Sequence, residues 1–102
     1  MSVFVDEHLL TEVDPAALDR LIAAARRGTV DRYGVRPVDH FFDGRGRVYC
    51  IVEAPDEAAV QRNHASVGLG SGPLRPLPGL RVRRRLSVED RAAIRVFLSP
   101  QP

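Results

Sequence analysis

A chain of 102 residues, 44% of them apolar and with a net charge of only +2, is one small domain able to bury a core without disulfides. That charge balance excludes a dedicated nucleic-acid binder, which carries a stronger basic excess, and no apolar run nears the roughly 20 residues of a membrane span. The single cysteine rules out an internal disulfide, and with no leader pattern in view the expected setting is cytoplasmic.

Ser2 to His8 alternates around Val3 and Val5 and is expected to form the first strand. Asp14 before Pro15 is a cap followed by a first-turn proline, and Leu18, Leu21, Ile22 and Ala25 then make one apolar helical face that ends near Gly28. Val35 to Phe42 and Arg47 to Glu53 flank Asp43-Gly44-Arg45-Gly46, a hairpin signal. Pro55, Asp56 and Glu57 open a second helix, acidic where its dipole is positive, and Gly68 closes it. Residues 70–79 read as a Pro/Gly-rich loop, Leu80 to Leu86 as the fourth strand, and Ser87 with Asp90 as a capping box for a short C-terminal helix. The order predicts an α+β, ferredoxin-like βαββαβ domain over 1–102: a four-stranded antiparallel sheet with its helices on one face. The other face is expected to stay open and to pair with a second copy, making a homodimer.

Symmetric pairing of the hairpin sets Asp39 opposite Cys50 and His40 opposite Tyr49. Alternation then places Val35, Asp39, Phe41, Val48, Cys50 and Val52 under the helices, and Arg36, Val38, His40, Phe42, Tyr49, Ile51 and Glu53 on the open face. His64, in helical register with Val60 and Val67, approaches Cys50 and Asp39 from the second helix. Thiol, carboxylate and imidazole together are a donor set for a divalent transition metal or a Cys–His pair. The plainer alternative is a packed cysteine and a hydrogen-bonded core histidine. On the open face, Arg36 and Glu53 oppose each other as a cross-strand ion pair. Arg81, Arg83 and Arg85 share one strand face suited to phosphates, or to protecting a sheet edge by charge, which is the preferred reading.

Val35-Arg36-Pro37-Val38-Asp39-His40-Phe41, the run Val48-Tyr49-Cys50 through Ala54-Pro55-Asp56-Glu57, and His64 before Gly68 resemble a family of small bacterial nickel-binding proteins with a ferredoxin-like fold. Phe4-Val5-Asp6-Glu7-His8 resembles that family's first strand, so the likeness covers 2–69. It implies metal ligands at Cys50 and His64. The family's strand histidine falls at Asp39, with His40 one position later. The expected function is therefore metal binding, of nickel or another divalent transition metal, by His64, Cys50 and Asp39 with His40 and His8 in reserve. The alternative is a cofactor-free dimeric α+β barrel enzyme whose open-face pocket is lined by His40, Tyr49 and Arg36. No catalytic activity, specific nucleic acid or membrane partner is predicted.

Overall fold

The computed structural model describes residues 1–70, 72–77 and 86–98. Strand β1 (Ser2–Leu9) leads through a 3-10 turn at Leu10–Glu12 into helix α1 (Pro15–Arg27). Strands β2 (Arg36–Phe42) and β3 (Arg47–Ala54) form the hairpin, followed by helix α2 (Glu57–Val67), strand β4 (Leu74–Pro76) and helix α3 (Val88–Leu98). The sheet order β2-β3-β1-β4, antiparallel at each pairing, is that of the ferredoxin-like fold.

The local signals act where the residues place them. The Asp14 carboxylate accepts from Ala16 N at 3.2 Å beside Pro15, and Gly28 ends α1 at φ +67°. At the start of α2 the Asp56 carboxylate accepts from Ala59 N at 2.8 Å. Ser87 and Asp90 bond reciprocally, at 3.0 and 3.1 Å, ahead of α3. In the hairpin loop Asp43 Oδ1 accepts from Arg45 N and Arg47 N, so one carboxylate organises the whole turn. Arg20 of α1 donates to the Val67 carbonyl at 2.7 Å, tying α1 to the end of α2.

Three differences from the expected layout matter. First, the β2–β3 register shifts between Pro37 and Asp39. Arg36 does face Glu53, with an ion pair at 3.4 Å, but Asp39 pairs with Ile51 and His40 with Cys50. Symmetric pairing had set Asp39 against Cys50. Pro37 has no N–H for the ladder, and the irregularity after it turns the rest of β2 over. Val38 and Phe41 then both enter the core that Val3, Val5 and Ile51 line.

Second, a strand forms inside the expected 70–79 loop, where Leu74–Pro76 pairs with Phe4–Asp6. Pro76 fits there because β4 is an edge. The strand expected at Leu80 to Leu86 lies outside the described residues apart from Leu86, as do Arg81, Arg83 and Arg85.

Third, α1 and α2 cover one face as expected, but α3 lies on the face expected to be open. Ile94 and Leu86 are buried there against Val3, Val5, Val38, Phe41 and Ile51, with Leu98 packed alongside. Among the described residues no helix is long and apolar enough to cross a membrane.

If α3 is integral to the core, Ile94→Ala should cost about 2–5 kcal/mol, as core truncations do. A urea titration followed by far-UV circular dichroism reads this directly. An unchanged midpoint would mean that α3 contributes nothing to stability.

Candidate metal centre

Asp6 and His8 stand two residues apart on β1 and so point to the same face, beneath α1 and α2. His64, near the end of α2, descends onto them. All three are buried, and one ligand atom from each lies within 4.8 Å of the others. His8 Nε2 is 2.8 Å from Asp6 Oδ2, and His64 Nε2 contacts the same oxygen. The two rings stack with centroids 5.5 Å apart.

The polar atoms here are not all satisfied. Asp6 Oδ1 has no hydrogen-bond partner. His64 Nε2 is close to Oδ2 but not aligned as a hydrogen bond, so it too is left without one. A buried ion costs several kcal/mol of desolvation, and a buried polar atom without a partner adds to that. The triad is therefore under-coordinated.

The second nitrogen of His64 explains which tautomer faces Asp6. Asn63 Nδ2 donates to Asp31 Oδ2 at 2.9 Å, which orients the amide and turns its Oδ1 toward His64 Nδ1 at 3.0 Å. An amide oxygen only accepts, so Nδ1 carries the proton. With Nδ1 protonated, Nε2 can lie against the carboxylate only where a proton or a cation sits between them. Asp31 is itself fixed: its Oδ1 accepts from Tyr33 N and Val35 N, both at 2.9 Å.

Burial alone pushes the Asp6 carboxyl up, but the two imidazoles beside it, His64 and then His8, outweigh burial and hold the group below its ordinary 3.8. Cys50, directly across from Asp6 in the β1–β3 ladder, is buried beside it. Burial, and then the Asp6 charge, push its thiol well above the ordinary 9.0.

Of the residues expected to bind metal, the fold brings His8 and His64 together, with Asp6. Cys50 adjoins them through its pairing with Asp6 but lies outside the group of three. His40 pairs with Cys50 and so stands two strand spacings from Asp6, roughly 10 Å. Asp39 pairs with Ile51 on the other face, where its carboxylate meets Arg91 at 2.7 Å. His40 and Tyr49 fall on opposite faces, so the His40/Tyr49/Arg36 pocket does not form. Asp6 was missed, although its spacing from His8 on one strand already placed the two together.

A cleft of ≈ 280 Å³ reaches His8 between Glu12, Gly70 and Gly72. A Cβ on Gly72 would come within 3.5 Å of His8 Nδ1 and far inside contact distance of the Glu7 carbonyl, so this wall requires glycine.

Two measurements follow. The folded-state Asp6 carboxyl titrates below its unfolded value, so its contribution to stability is complete above about pH 3.8 and is lost as pH falls through the folded value. Urea midpoints of metal-free protein taken down the acid limb should show this loss, and Asp6→Asn should remove its share. Cys50 should resist a thiol reagent at pH 8 in folded protein and react at once in urea. Equal rates would mean the thiol is not buried.

A search of curated proteins finds no match. Among solved structures, SCO4226 from Streptomyces coelicolor A3(2) superposes with a TM-score of 0.60 at 24% identity, covering 79% of this chain and all of that one. At that identity the likeness shows the fold. The family described as nickel responsive protein SCO4226-like matches residues 4–72, a span that includes Asp6, His8, Cys50 and His64. The chain belongs to that family.

Proposed function

We propose that this protein binds a divalent transition metal, nickel first among the candidates, through Asp6, His8 and His64. The observation that carries the reading is the under-coordinated triad: a buried carboxylate with one oxygen unpartnered, against an imidazole whose Nε2 likewise has no hydrogen-bond partner. Two imidazoles and a carboxylate suit nickel, zinc or copper, so the residues present fit the ion that the family description suggests. Asn63 and Asp31 behind His64 are the support that metal-bound histidines usually have. Cys50, across the ladder from Asp6, is a further donor beside the triad. Asp39, paired with Arg91, and His40, two strands away, stay out of the proposed ligand set.

His8 donates from Nε2 to Asp6 in the metal-free state, so taking up a cation there displaces a proton. The cleft beside His8 supplies the way in. An ion held here would act as a bound cargo or signal; no reaction step is assigned to it.

Calorimetric titration of metal-free protein with nickel and with zinc tests the reading. Micromolar or tighter binding should strengthen as pH rises from about 6 to about 8, because the ligands must lose protons. His64→Ala and Asp6→Ala should abolish it, and Asn63→Ala should weaken it about 10–100-fold. Binding that survives His64→Ala and Asp6→Ala would place the metal elsewhere. No heat with either metal would reduce the triad to a buried ion-pair cluster.

A further inference from the structure

We propose that Asp31, on the loop between α1 and β2, is a positioning residue of the triad: acting through Asn63, it sets which ring nitrogen of His64 is left for a cation. The assignment builds on the reading of Asp6, His8 and His64 as metal ligands, and adds to it a residue from a different element. Asp31 and Asn63 are 32 residues apart in sequence and meet side chain to side chain at 2.9 Å.

Both ends of that bond are fixed by bonds of their own. Asp31 Oδ1 accepts from Tyr33 N and Val35 N, which leaves Oδ2 to meet Asn63. The loop backbone closes on itself as well, Asp31 N donating to the Val35 carbonyl at 2.9 Å and Gly34 N to the Asp31 carbonyl at 3.1 Å. Asn63 is buried on α2, and Ser66 Oγ donates to its carbonyl at 2.7 Å.

A primary amide donates from one side and accepts on the other, and its two orientations fill nearly the same space. Asp31 removes the choice. An ionised carboxylate only accepts, so the Asn63 nitrogen must point to it, and the amide oxygen is left for His64 Nδ1 at 3.0 Å. Nδ1 then carries a proton, and Nε2, against Asp6, is the nitrogen open to a cation. With the amide reversed, its nitrogen would donate to Nδ1, the ring would keep its proton on Nε2, and the atom beside Asp6 would be closed to metal. The direction of the relay is therefore set at Asp31, because Asn63 is compatible with either.

The test reverses that polarity while keeping its shape. In Asp31→Asn the side-chain oxygen still accepts from the loop, but an amide nitrogen now faces Asn63, which must turn its oxygen that way and its nitrogen toward His64. Adding Asn63→Asp restores an acceptor to both neighbours and the wild-type net charge. Long-range proton–nitrogen NMR of the His64 ring in isotopically labelled, metal-free protein should show Nδ1 protonated in the wild type, unprotonated in Asp31→Asn and protonated again in Asp31→Asn/Asn63→Asp. Nickel affinity by calorimetry should follow, about 10–100-fold weaker in the single variant and largely recovered in the double. A purely structural Asp31 would leave the double variant at least as impaired as the single. Nδ1 still protonated in folded Asp31→Asn, or no restoration in the double variant, overturns the proposal. If Asp31→Asn alone does not fold, a folded double variant with Nδ1 protonated supports the relay and an unfolded one overturns it. A wild type that takes up no nickel would count against the metal reading of the triad, while the metal-free ring spectra still decide the relay.

Discussion

The charge on Asp6 is buried on an interior strand, and much of the neighbouring structure exists to accommodate it. A carboxylate there needs donors, and β1 itself supplies one in His8. The second imidazole against it, His64, comes from α2, whose position is fixed by the Asp56 cap at one end and by Gly68 and Arg20 at the other. His64 is in turn held by Asn63, and Asn63 by Asp31, which also closes the loop leading into β2. One buried charge thus connects β1, α2 and the approach to β2, through the His64 contact and the hydrogen bonds behind it. At that approach Gly34, at φ +81°, passes so close to Pro55 that a Cβ would sit 3.1 Å from its ring.

β1 divides this work along its length and between its faces. Its first half, Val3 to Val5, is apolar on both sides and holds the two cores apart: Val3 and Val5 under α3, Phe4 under α2. Its second half, Asp6 to His8, is polar on both sides. Asp6 and His8 turn toward the helices, and Glu7 turns toward the opposite face. Burial of the first half contributes stability at about 25 cal/mol per Å², and this allows the second half to carry groups that burial disfavours. A single strand therefore separates apolar core from polar end along its length, and one sheet face from the other in alternate residues.

What was legible in the sequence follows the range of the forces involved. Caps at Asp14 and Ser87, the helix start at Pro55-Asp56-Glu57 and the hairpin turn at Asp43 depend on residues within four positions, and each falls where it was read. The helix stripe through Val60 and His64 is likewise local, and both residues are buried. The β2 register was not legible, because one irregularity between Pro37 and Asp39 inverts every residue from Asp39 on, and the sequence pattern carries no sign of it. α3 was read as a helix, but no local feature says which face of the sheet it covers. That choice depends on Ile94 and Leu86 finding Val38 and Phe41, the second of which the same irregularity brought to that face. Asp6 was overlooked for a related reason. A carboxylate on a strand is ordinary until a histidine 58 residues later is known to lie over it.

The shift in β2 also bears on the cysteine. With His40 brought opposite Cys50, one row on the helix-covered face runs Leu74, Asp6, Cys50, His40 across all four strands. Cys50 stands between a buried carboxylate and an imidazole. Asp6 is one of the two causes that keep its thiol protonated, the other being burial. Neutralising Asp6, by a proton or by a cation, removes the electrostatic cause and leaves the burial cause in place. The thiol is therefore coupled to the state of the triad without belonging to it, and an electron-poor centre at Asp6 draws Cys50 toward the thiolate. Desolvation still opposes ionisation, so the thiol becomes a ligand only where the charge it meets exceeds the charge it must bury.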